Sequence, residues 1–324
     1  MRFHLLCSMK KSLDIIFMGT PDFAVASLDK IHKSGHKVRA VITSVDKPAG
    51  RGKKLRQSAV KKYALEQDIL ILQPKNLKDE EFNAALKSLD ADLFVVVAFR
   101  MLPKVVWDMP KMGTINLHGS LLPDYRGAAP INWAVINGDN KTGVSTFFIN
   151  EKIDTGELLL QREINISKND TAGSVHDAMM HIGAECLLET IDKIALDDVN
   201  PIVQQWNSSF RKAPKIFKED CKIDWTLPSE VIYNKIRGLS PYPTAYTEMM
   251  NGEVKKSLKI FFAEIIDDIT ISDGDIKITE EKRMLIGTKD GCLNILDLQL
   301  EGKKRMKTSD FLQGFRVDSA LKAL

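Results

Sequence analysis

Short apolar runs alternate with amphipathic segments through the first half of the chain. Runs rich in Ile and Val over 13–19, 37–44 and 92–99 are typical of buried strands. Between them, 20–35 and 58–67 are predicted to be helical. Strand, helix and strand with short connections predict right-handed βαβ units and a parallel sheet covered by helices. The same pattern adds helices near 79–88, 129–138 and 171–196 and strands at 69–72, 113–118, 143–150 and 156–164.

The pattern changes after the last of these helices, where a polar stretch contains two prolines and has no clear period. We interpret it as a linker over 199–216. Beyond it lie a helix near 229–238 and several short strands separated by turns that contain Asp and Gly, which predict a small β-barrel. The sequence therefore predicts an α/β fold. It has a Rossmann-like, doubly wound, mostly parallel sheet over 1–198 and a C-terminal OB-like β-barrel domain over 217–324.

Composition and cysteine usage favour an ordinary soluble protein. The 324 residues are 44% hydrophobic and 27% charged, which is enough for two domains with sizeable cores. No apolar run reaches the about 18 residues of a membrane span, and the start lacks the features of a signal peptide. Met9 is a more natural start than Met1, which would make residues 1–8 an extension. The four cysteines show no C-x-x-C spacing, which favours free thiols in a reducing compartment. We therefore expect a cytoplasmic monomer with no membrane association.

Positive charge is concentrated in one short stretch. The net charge is only +3, yet seven Lys or Arg residues lie between Asp46 and Lys62. The stretch includes "KPAGRGKK", whose glycines predict a flexible loop. A charge run is usually a solvated face, but its coincidence with a loop favours contact with a polyanion.

The most informative stretch is "NLHGSLLPDYRGAAP" at 116–130. Asn116 and His118 lie two residues apart at the end of a predicted strand, so their side chains point to the same face. In a doubly wound sheet, that end of a strand borders the ligand crevice. An amide can donate to an oxygen that gains negative charge, and an imidazole can take a proton or stabilise the same oxyanion. The pair suits acyl transfer to an amine; the alternative is an edge Asn beside an ordinary core His.

A carboxylate adds a third candidate to this pair. Asp154 lies in "EKIDTGELL", in a turn between two predicted strands, where it could orient His118 or hold a water beside it. Asp is also common in turns for purely structural reasons. The chain has no Ser nucleophile elbow, no H-E-x-x-H and no G-x-G-x-x-G after its first strand. This favours direct attack by an amine, without a covalent enzyme intermediate and without a metal.

Two long motifs carry a resemblance to a known family. "NLHGSLLPDYRGAAPINWAVINGD" and "GVSTFFINEKIDTGELLL" resemble the formyltransferases that use 10-formyltetrahydrofolate. The resemblance implies that Asn116 stabilises the oxyanion, His118 manages the proton of the attacking amine and Asp154 orients His118 and a water. It also implies that folate lies against the loop after "VVVAF" and the turn after His118. By position, the residues on the folate side are Phe99, Arg100, Met101, Leu102, Ser120, Leu121, Leu122 and Pro123.

Further motifs extend the resemblance from Leu13 to about Gly314. "IIFMGTPDFAVASL", "DKPAGRGKKL", "IRGLSPYPTAY" and "LNILDLQLEGKKRM" are similar to the branch that formylates the free amino group of initiator methionyl-tRNA. Formyltransferases of amino-sugar nucleotides share "HGSLLP" and a tail domain but generally lack the basic loop, and they are the alternative. A catalytically idle RNA-binding protein with this fold is a second alternative, which the intact Asn, His and Asp disfavour.

The resemblance also implies where tRNA binds. In the tRNA branch the basic loop enters the acceptor arm, where its cations neutralise phosphates. The candidate tRNA contacts are Arg51, Lys53, Lys54, Arg211, Lys303 and Lys304, with Lys212 and Arg305 beside them. One stretch departs from the family pattern: "AFRMLP" stands where members more often have A-Y-G and a longer approach to L-P. The folate-side loop is therefore expected to be one residue shorter here.

Overall fold

The computed structural model describes residues 12–49, 54–205, 207–316 and 320–324. Contacts divide the chain into two compact units that alternate along the sequence. The first unit comprises the chain up to Gly127, Gly143–Ile164 and Asp177–Lys212; the second comprises Ala128–Thr142, Asn165–His176 and Ala213–Leu324. The domain boundaries predicted from the sequence, at 198 and 217, stay a prediction.

The described residues form eight α-helices, one short 3₁₀ helix (Glu219–Cys221) and eighteen strands. The helices are α1 (Asp22–His32), α2 (Ala59–Glu66), α3 (Glu80–Ser88), α4 (Lys104–Trp107), α5 (Pro130–Ile136), α6 (Ala172–Ala195), α7 (Ser229–Leu239) and α8 (Thr308–Gln313). The strands of the first half are β1 (Asp14–Gly19), β2 (Lys37–Ile42), β3 (Lys47–Ala49), β4 (Lys54–Arg56), β5 (Ile71–Leu72), β6 (Leu93–Val97), β7 (Thr114–His118), β8 (Arg126–Gly127), β9 (Lys141–Phe148) and β10 (Leu158–Asn165). The later strands are β11 (Lys212–Ala213), β12 (Ala245–Asn251), β13 (Val254–Ile266), β14 (Asp275–Ile278), β15 (Met284–Thr288), β16 (Gly291–Leu300), β17 (Met306–Lys307) and β18 (Leu321–Ala323). None of the helices described here is both long enough and apolar enough to cross a membrane.

The first unit is built on a seven-stranded sheet in the order β10–β9–β7–β6–β1–β2–β5. The pairs β1–β2, β1–β6, β2–β5 and β6–β7 are parallel, while β9 runs antiparallel to β7. Helices connect the parallel strands. From β1 the chain adds β2 and β5 on one side, then crosses to the other side to add β6 and β7. The predicted doubly wound, mostly parallel sheet is therefore confirmed.

Burial and capping explain why these segments take these forms. The apolar run of β6 is buried at every position, as expected for a central parallel strand covered on both faces. Ser58 begins α2 by accepting a hydrogen bond from the backbone N–H of Lys61 at 3.0 Å. Asp79 does the same for α3, accepting from Phe82 at 2.9 Å. Both are the side chains that best satisfy the unpaired N–H groups at a helix start.

The basic stretch forms a β-hairpin. Strands β3 and β4 pair antiparallel, with Lys47 opposite Arg56 and Ala49 opposite Lys54. The expectation of a flexible loop is wrong for these flanking residues, because backbone hydrogen bonds between the two strands fix them. Residues 50–53, which include the predicted tRNA contacts Arg51 and Lys53, lie outside the described residues.

The second unit contains a closed barrel. The strands pair in the order β13–β12–β18–β14–β15–β16, and β13 also pairs with β16, which closes a ring of six. Every pair in the ring is antiparallel. Helix α7 contributes Ile232, Ile236 and Leu239 to the same buried core. The predicted C-terminal barrel is confirmed.

Polar contacts join α7 to Ala128–Thr142 and Asn165–His176, the two earlier stretches of the second unit. Arg237 is 5% exposed; it donates to Oδ1 of Asn234 at 2.8 Å and to the carbonyl oxygen of Asp170 at 3.0 Å. Asn132 donates to the carbonyl oxygen of Gly238 at 2.8 Å. Burial lowers the pKa of Arg237 from its usual value, and these oxygens replace the water that the guanidinium has lost.

Candidate active site

The carboxyl end of β7 presents Asn116 and His118. Asn116 lies opposite Val96 of β6 and Phe147 of β9, and His118 lies opposite Ser145. The Asn116 side chain is half-buried and makes no hydrogen bond within the part of the chain that the structure describes. Its amide N–H groups are therefore available to an incoming oxygen atom.

His118 is 7% exposed, and the hydrogen bond of one ring nitrogen indicates which nitrogen carries the hydrogen. Its Nε2 lies 2.9 Å from the backbone carbonyl oxygen of Tyr125, which can only accept a hydrogen bond. In the neutral ring, Nε2 therefore carries the hydrogen and Nδ1 carries the lone pair. Nδ1 lies 3.8 Å from Oδ2 of Asp154, beyond direct hydrogen-bond distance. A proton that arrives on Nδ1 would face this carboxylate.

A tight turn between β9 and β10 places Asp154. The backbone of Asp154 takes a φ of 53°, and its Oδ2 accepts a hydrogen bond from the backbone N–H of Gly127 at 2.9 Å. A Cβ added to Gly156 would lie 1.6 Å from the carbonyl oxygen of Phe148. Only glycine fits at that position, so the chain can pass close to the end of β9 and bring the carboxylate towards His118.

The turn after His118 is fastened to β9 by one hydroxyl group. Ser145 Oγ donates to the carbonyl oxygen of Ser120 at 2.6 Å and accepts from the N–H of Leu122 at 2.9 Å. Of the four residues predicted to lie on the folate side here, two are buried and two are half-buried: Ser120 and Leu122, then Leu121 and Pro123. Contacts from the two buried residues to a ligand would come from their backbone.

The loop after β6 is held by its own arginine. Arg100 donates to the carbonyl oxygens of residues 74–75 at 2.6 and 3.0 Å, and its guanidinium lies 5.7 Å from the ring of Phe99. Ala98 takes a φ of 48°, in the left-handed region that favours glycine. The "AFRMLP" loop thus has a defined path with Ala98 in this conformation; that it is one residue shorter than in family members stays a prediction.

The four predicted folate-side residues of this loop differ in exposure. Met101 is 75% exposed, whereas Leu102 is 8% exposed and belongs to the hydrophobic core below the sheet. Phe99 packs partly against the same core. Phe99 and Met101 therefore have side-chain surface that could meet a pteridine or its tail, while Leu102 is committed to the core.

Arg211 lies beside the segment that follows the S-L-L-P turn. Its backbone N–H donates to Oδ1 of Asp124 at 2.7 Å, and its guanidinium lies 3.3 Å from Oδ2 of the same carboxylate. The guanidinium also covers the ring of Tyr125 at 4.6 Å, and the N–H of Tyr125 donates to the carbonyl oxygen of Arg211 at 2.7 Å. This predicted tRNA contact is thereby tied to the residue whose carbonyl oxygen holds His118.

The remaining basic candidates lie elsewhere in the fold. Lys303 and Lys304 are exposed in the turn between β16 and β17. Arg305, next to them, is paired with Asp297 at 2.6 Å and covers the ring of Phe261 at 4.1 Å. Lys54 takes part in the β3–β4 ladder. The structure thus brings together the catalytic candidates. Of the described tRNA candidates, Lys54 and Arg211 belong to the first unit and Lys303 and Lys304 to the second.

Four residues of this site were not assigned a role from the sequence: Tyr125, Arg126, Gly127 and Gln204. Tyr125 and Gly127 act through backbone groups, which no side-chain pattern reports. Arg126 lies in the motif "YRG" and donates from Nε and Nη2 to Oε1 of Gln204 at 3.2 and 2.7 Å. Burial lowers the pKa of Arg126, and the charge of Asp154 opposes that shift. Nothing in the sequence around Gln204 marks it.

An open depression of about 570 Å³ adjoins the Asp154 turn. It is lined by Arg126, Asn150, Glu151, Lys152, Thr155 and Gln204. Within the described residues, no group of three or more His, Cys, Asp or Glu side chains is placed to hold a metal ion. That the reaction needs no metal stays a prediction.

Comparison with known proteins identifies the family. The formyl transferase model matches residues 12–191, and the model of the formyl transferase C-terminal domain matches residues 215–316. A methionyl-tRNA formyltransferase of Bacteroides fragilis is 51% identical over 319 residues, which cover 97% of this chain and 98% of that protein. Together with the doubly wound sheet and the barrel, these matches define a formyl transferase. More narrowly, the chain belongs to the methionyl-tRNA formyltransferase family.

Solved structures share the fold at low sequence identity. HypX from Aquifex aeolicus, in complex with tetrahydrofolic acid, has a TM-score of 0.65 and 18% identity, covering 93% of this chain and 47% of that one. An N-formyltransferase from Helicobacter canadensis, in complex with folinic acid and dTDP-3-aminofucose, has a TM-score of 0.62 and 22% identity, covering 91% of this chain and 100% of that one. At these identities the likeness concerns the fold alone.

Proposed function

We propose that this protein transfers the formyl group of 10-formyltetrahydrofolate to the free amino group of initiator methionyl-tRNA, in support of translation initiation. The observation that carries the proposal is the meeting of Asn116, His118 and Asp154 at the carboxyl end of a parallel strand, in a chain of this family. Because aminoacylated tRNA is its substrate, we infer that the protein acts in the cytoplasm, and we expect a monomer.

Asn116 acts on the oxygen of the formyl group. When the amine nitrogen attacks the formyl carbon, that oxygen becomes an oxyanion, and the unpaired amide N–H of Asn116 donates to it. The amide has no competing partner within the described residues, so it needs no rearrangement to do so. Collapse of the tetrahedral centre breaks the bond from carbon to N10 of the folate, which leaves as tetrahydrofolate after gaining a proton.

His118 and Asp154 handle the proton that the amine loses. The hydrogen on Nε2 is engaged by Tyr125, so the free lone pair is on Nδ1, on the side of Asp154. Uptake of the amine proton there, directly or through a water, creates a positive charge 3.8 Å from a carboxylate. An α-amino group has a pKa of about 7.7–8.0, so modest assistance is sufficient. The proton can then pass to the departing N10.

The folate donor is expected along the loop after β6 and the turn after β7. Phe99 and Met101 offer apolar side-chain surface there, and so do the half-buried Leu121 and Pro123 of the S-L-L-P turn. The tRNA is expected to meet the tip of the β3–β4 hairpin and the exposed pair Lys303 and Lys304. These contacts would be to phosphates and would weaken as salt rises.

A parallel formylation assay tests the proposal. Purified protein is given 10-formyltetrahydrofolate labelled in the formyl group, with either initiator methionyl-tRNA or a dTDP-amino sugar as acceptor. We expect label transfer to methionyl-tRNA and none to the sugar, with Asn116→Ala as the inactive control. Transfer to the sugar alone would instead favour a sugar formyltransferase, and transfer to neither would reject both.

A further inference from the structure

Gln204 contacts the turn that carries Asp154, although it lies some 50 residues later, in the stretch interpreted as a linker. Its Nε2 donates to the carbonyl oxygen of Asp154 at 3.1 Å and to that of Gly156 at 2.7 Å. One amide group therefore bridges two backbone carbonyl oxygens of the turn, that of Asp154 and that of Gly156. The turn needs such support because Asp154 holds a left-handed φ of 53°, which is unfavourable for a residue with a side chain.

The orientation of the Gln204 amide is fixed from its other end. Oε1 accepts two hydrogen bonds from the guanidinium of Arg126, at 3.2 and 2.7 Å. Bonds from a charged donor are stronger than neutral ones, so the oxygen stays on Arg126 and the NH₂ stays on the turn. The backbone nearby is fixed as well, since Ile202 and Leu158 exchange two hydrogen bonds at 2.8 and 2.9 Å.

Arg126 connects this amide to both catalytic side chains. Its neighbour Tyr125 accepts from His118 Nε2 through the backbone carbonyl, and its neighbour Gly127 donates to Asp154 through the backbone N–H. The three consecutive residues 125–127 thus contact His118, Gln204 and Asp154 in turn. A shift of Gln204 would therefore move the Asp154 turn relative to a histidine that Tyr125 holds.

We infer that Gln204 is a positioning residue for the formyl transfer: it holds the Asp154 turn so that the carboxylate faces Nδ1 of His118. The inference rests on the function proposed above. Gln204 has no contact with the reacting atoms in this scheme, so its loss should slow the chemical step and leave substrate binding alone. A displacement of about 1 Å at a catalytic group can cost on the order of 100-fold in rate.

Two substitutions at Gln204 and one beside it test the inference in full-length protein. Gln204→Ala removes both ends of the contact, whereas Gln204→Glu keeps an acceptor for Arg126 but has no N–H for the two carbonyl oxygens. The matched control is Gln205→Ala, the adjacent glutamine, which is exposed. We expect kcat to fall about 10-fold or more in both Gln204 variants, with unchanged KM for either substrate and unchanged kinetics for Gln205→Ala.

A double variant separates positioning from a general loss of structure. If Gln204 acts through Asp154, then adding Gln204→Ala to Asp154→Asn should lower kcat little further, because the carboxylate charge that Gln204 positions is already absent. A full multiplicative loss in the double variant would contradict the inference. So would a fall in kcat/KM that comes only from KM.

A measurement on the resting protein keeps the inference testable apart from activity. In protein labelled with ¹⁵N-glycine, the Gly127 amide should report its hydrogen bond to Asp154. We expect Gln204→Ala to move this resonance upfield and to speed its exchange with solvent, while Gln205→Ala leaves it in place. A Gly127 resonance that does not move in Gln204→Ala would overturn the inference, whatever the activity of the wild type. A wild type that is inactive on methionyl-tRNA would reject only the proposed function.

Discussion

The carboxylate of Asp154 lies 3.8 Å from Nδ1 of His118, close enough to interact with a charge but too far for a direct hydrogen bond. The gap matters because the other ring nitrogen is already engaged by a backbone carbonyl, so the proton-accepting position is the one that faces Asp154. In the neutral state, a lone pair and a carboxylate face each other. Once a proton arrives between them, the same arrangement becomes attractive. In the proposed mechanism, the site is therefore complementary to the protonated form of His118.

Asp154→Asn tests this arrangement with little change in shape. The amide oxygen of Asn can still accept from Gly127, but the negative charge beside Nδ1 is gone. We expect kcat on methionyl-tRNA to fall by about 100-fold or more, in the range typical of proton-transfer catalysis. Steady-state kinetics measures the effect, and unchanged thermal unfolding would show that the turn is intact. Near-normal turnover would mean that the carboxylate has no catalytic part.

Asn116→Ala tests the oxyanion role. The variant removes a side chain with no hydrogen-bond partner inside the described protein, so it should leave the fold stable. Loss of one oxyanion donor costs about 100- to 1,000-fold in turnover, and we expect a fall of that size. Asn116→Asp, which keeps the shape but places a negative charge beside the oxyanion, should be at least as impaired. tRNA affinity, measured by filter binding, should not change in either variant.

Gly156→Ala tests how the turn is built. A Cβ there would lie 1.6 Å from the carbonyl oxygen of Phe148, so the turn must shift or the protein must lose stability. We expect about 3 kcal/mol of destabilisation in urea unfolding, together with a loss of activity like that of Asp154→Asn. Gly35→Ala is the matched control, because nothing lies within 4 Å of the added Cβ. Equal behaviour of the two variants would show that the turn adapts freely.

The fold, and the placement of Asn116 and His118 at one strand end, could be predicted from the sequence because each left a local pattern. The β6 run of apolar residues marks a buried strand, and the spacing of Asn116 and His118 places them on one face. The contacts of Tyr125, Gly127 and Gln204 left no such pattern. Two of them act through the backbone, and the third depends on a contact between residues 50 positions apart in the chain. The pairing of β3 with β4 was also missed, since the glycines between them indicated a loop.

Arg211 and the pair Lys303 and Lys304 were grouped as tRNA contacts, yet their surroundings differ. Arg211 is bound to Asp124 and covers Tyr125, whose carbonyl oxygen holds His118. Arg211→Ala should therefore lower kcat through the catalytic segment. The double variant Lys303→Ala and Lys304→Ala removes only exposed charge, so it should raise KM for tRNA and leave kcat unchanged. If Arg211→Ala instead raised KM for tRNA and the lysine double variant lowered kcat, the two roles would be reversed.

The hairpin β3–β4 gives the last prediction, because it distinguishes a tRNA substrate from a sugar nucleotide. The ladder fixes Lys47 opposite Arg56 and Ala49 opposite Lys54. The predicted contacts Arg51 and Lys53 lie between these strands in the sequence, outside the described residues. In the tRNA scheme these cations neutralise phosphates of the acceptor arm. The triple variant Arg51→Ala, Lys53→Ala, Lys54→Ala should then lower kcat/KM on methionyl-tRNA strongly.

Salt dependence shows whether that loss is electrostatic. Each lost phosphate contact should reduce the slope of log binding constant against log salt by about 1. The control removes the same charge from exposed lysines elsewhere in the first unit, with Lys75, Lys78 and Lys87 each changed to Ala. Folate binding should be normal in both proteins, since the donor is expected at the strand ends. If the two triple variants lose equal efficiency on tRNA, only net charge matters and the hairpin has no specific contact with the acceptor arm.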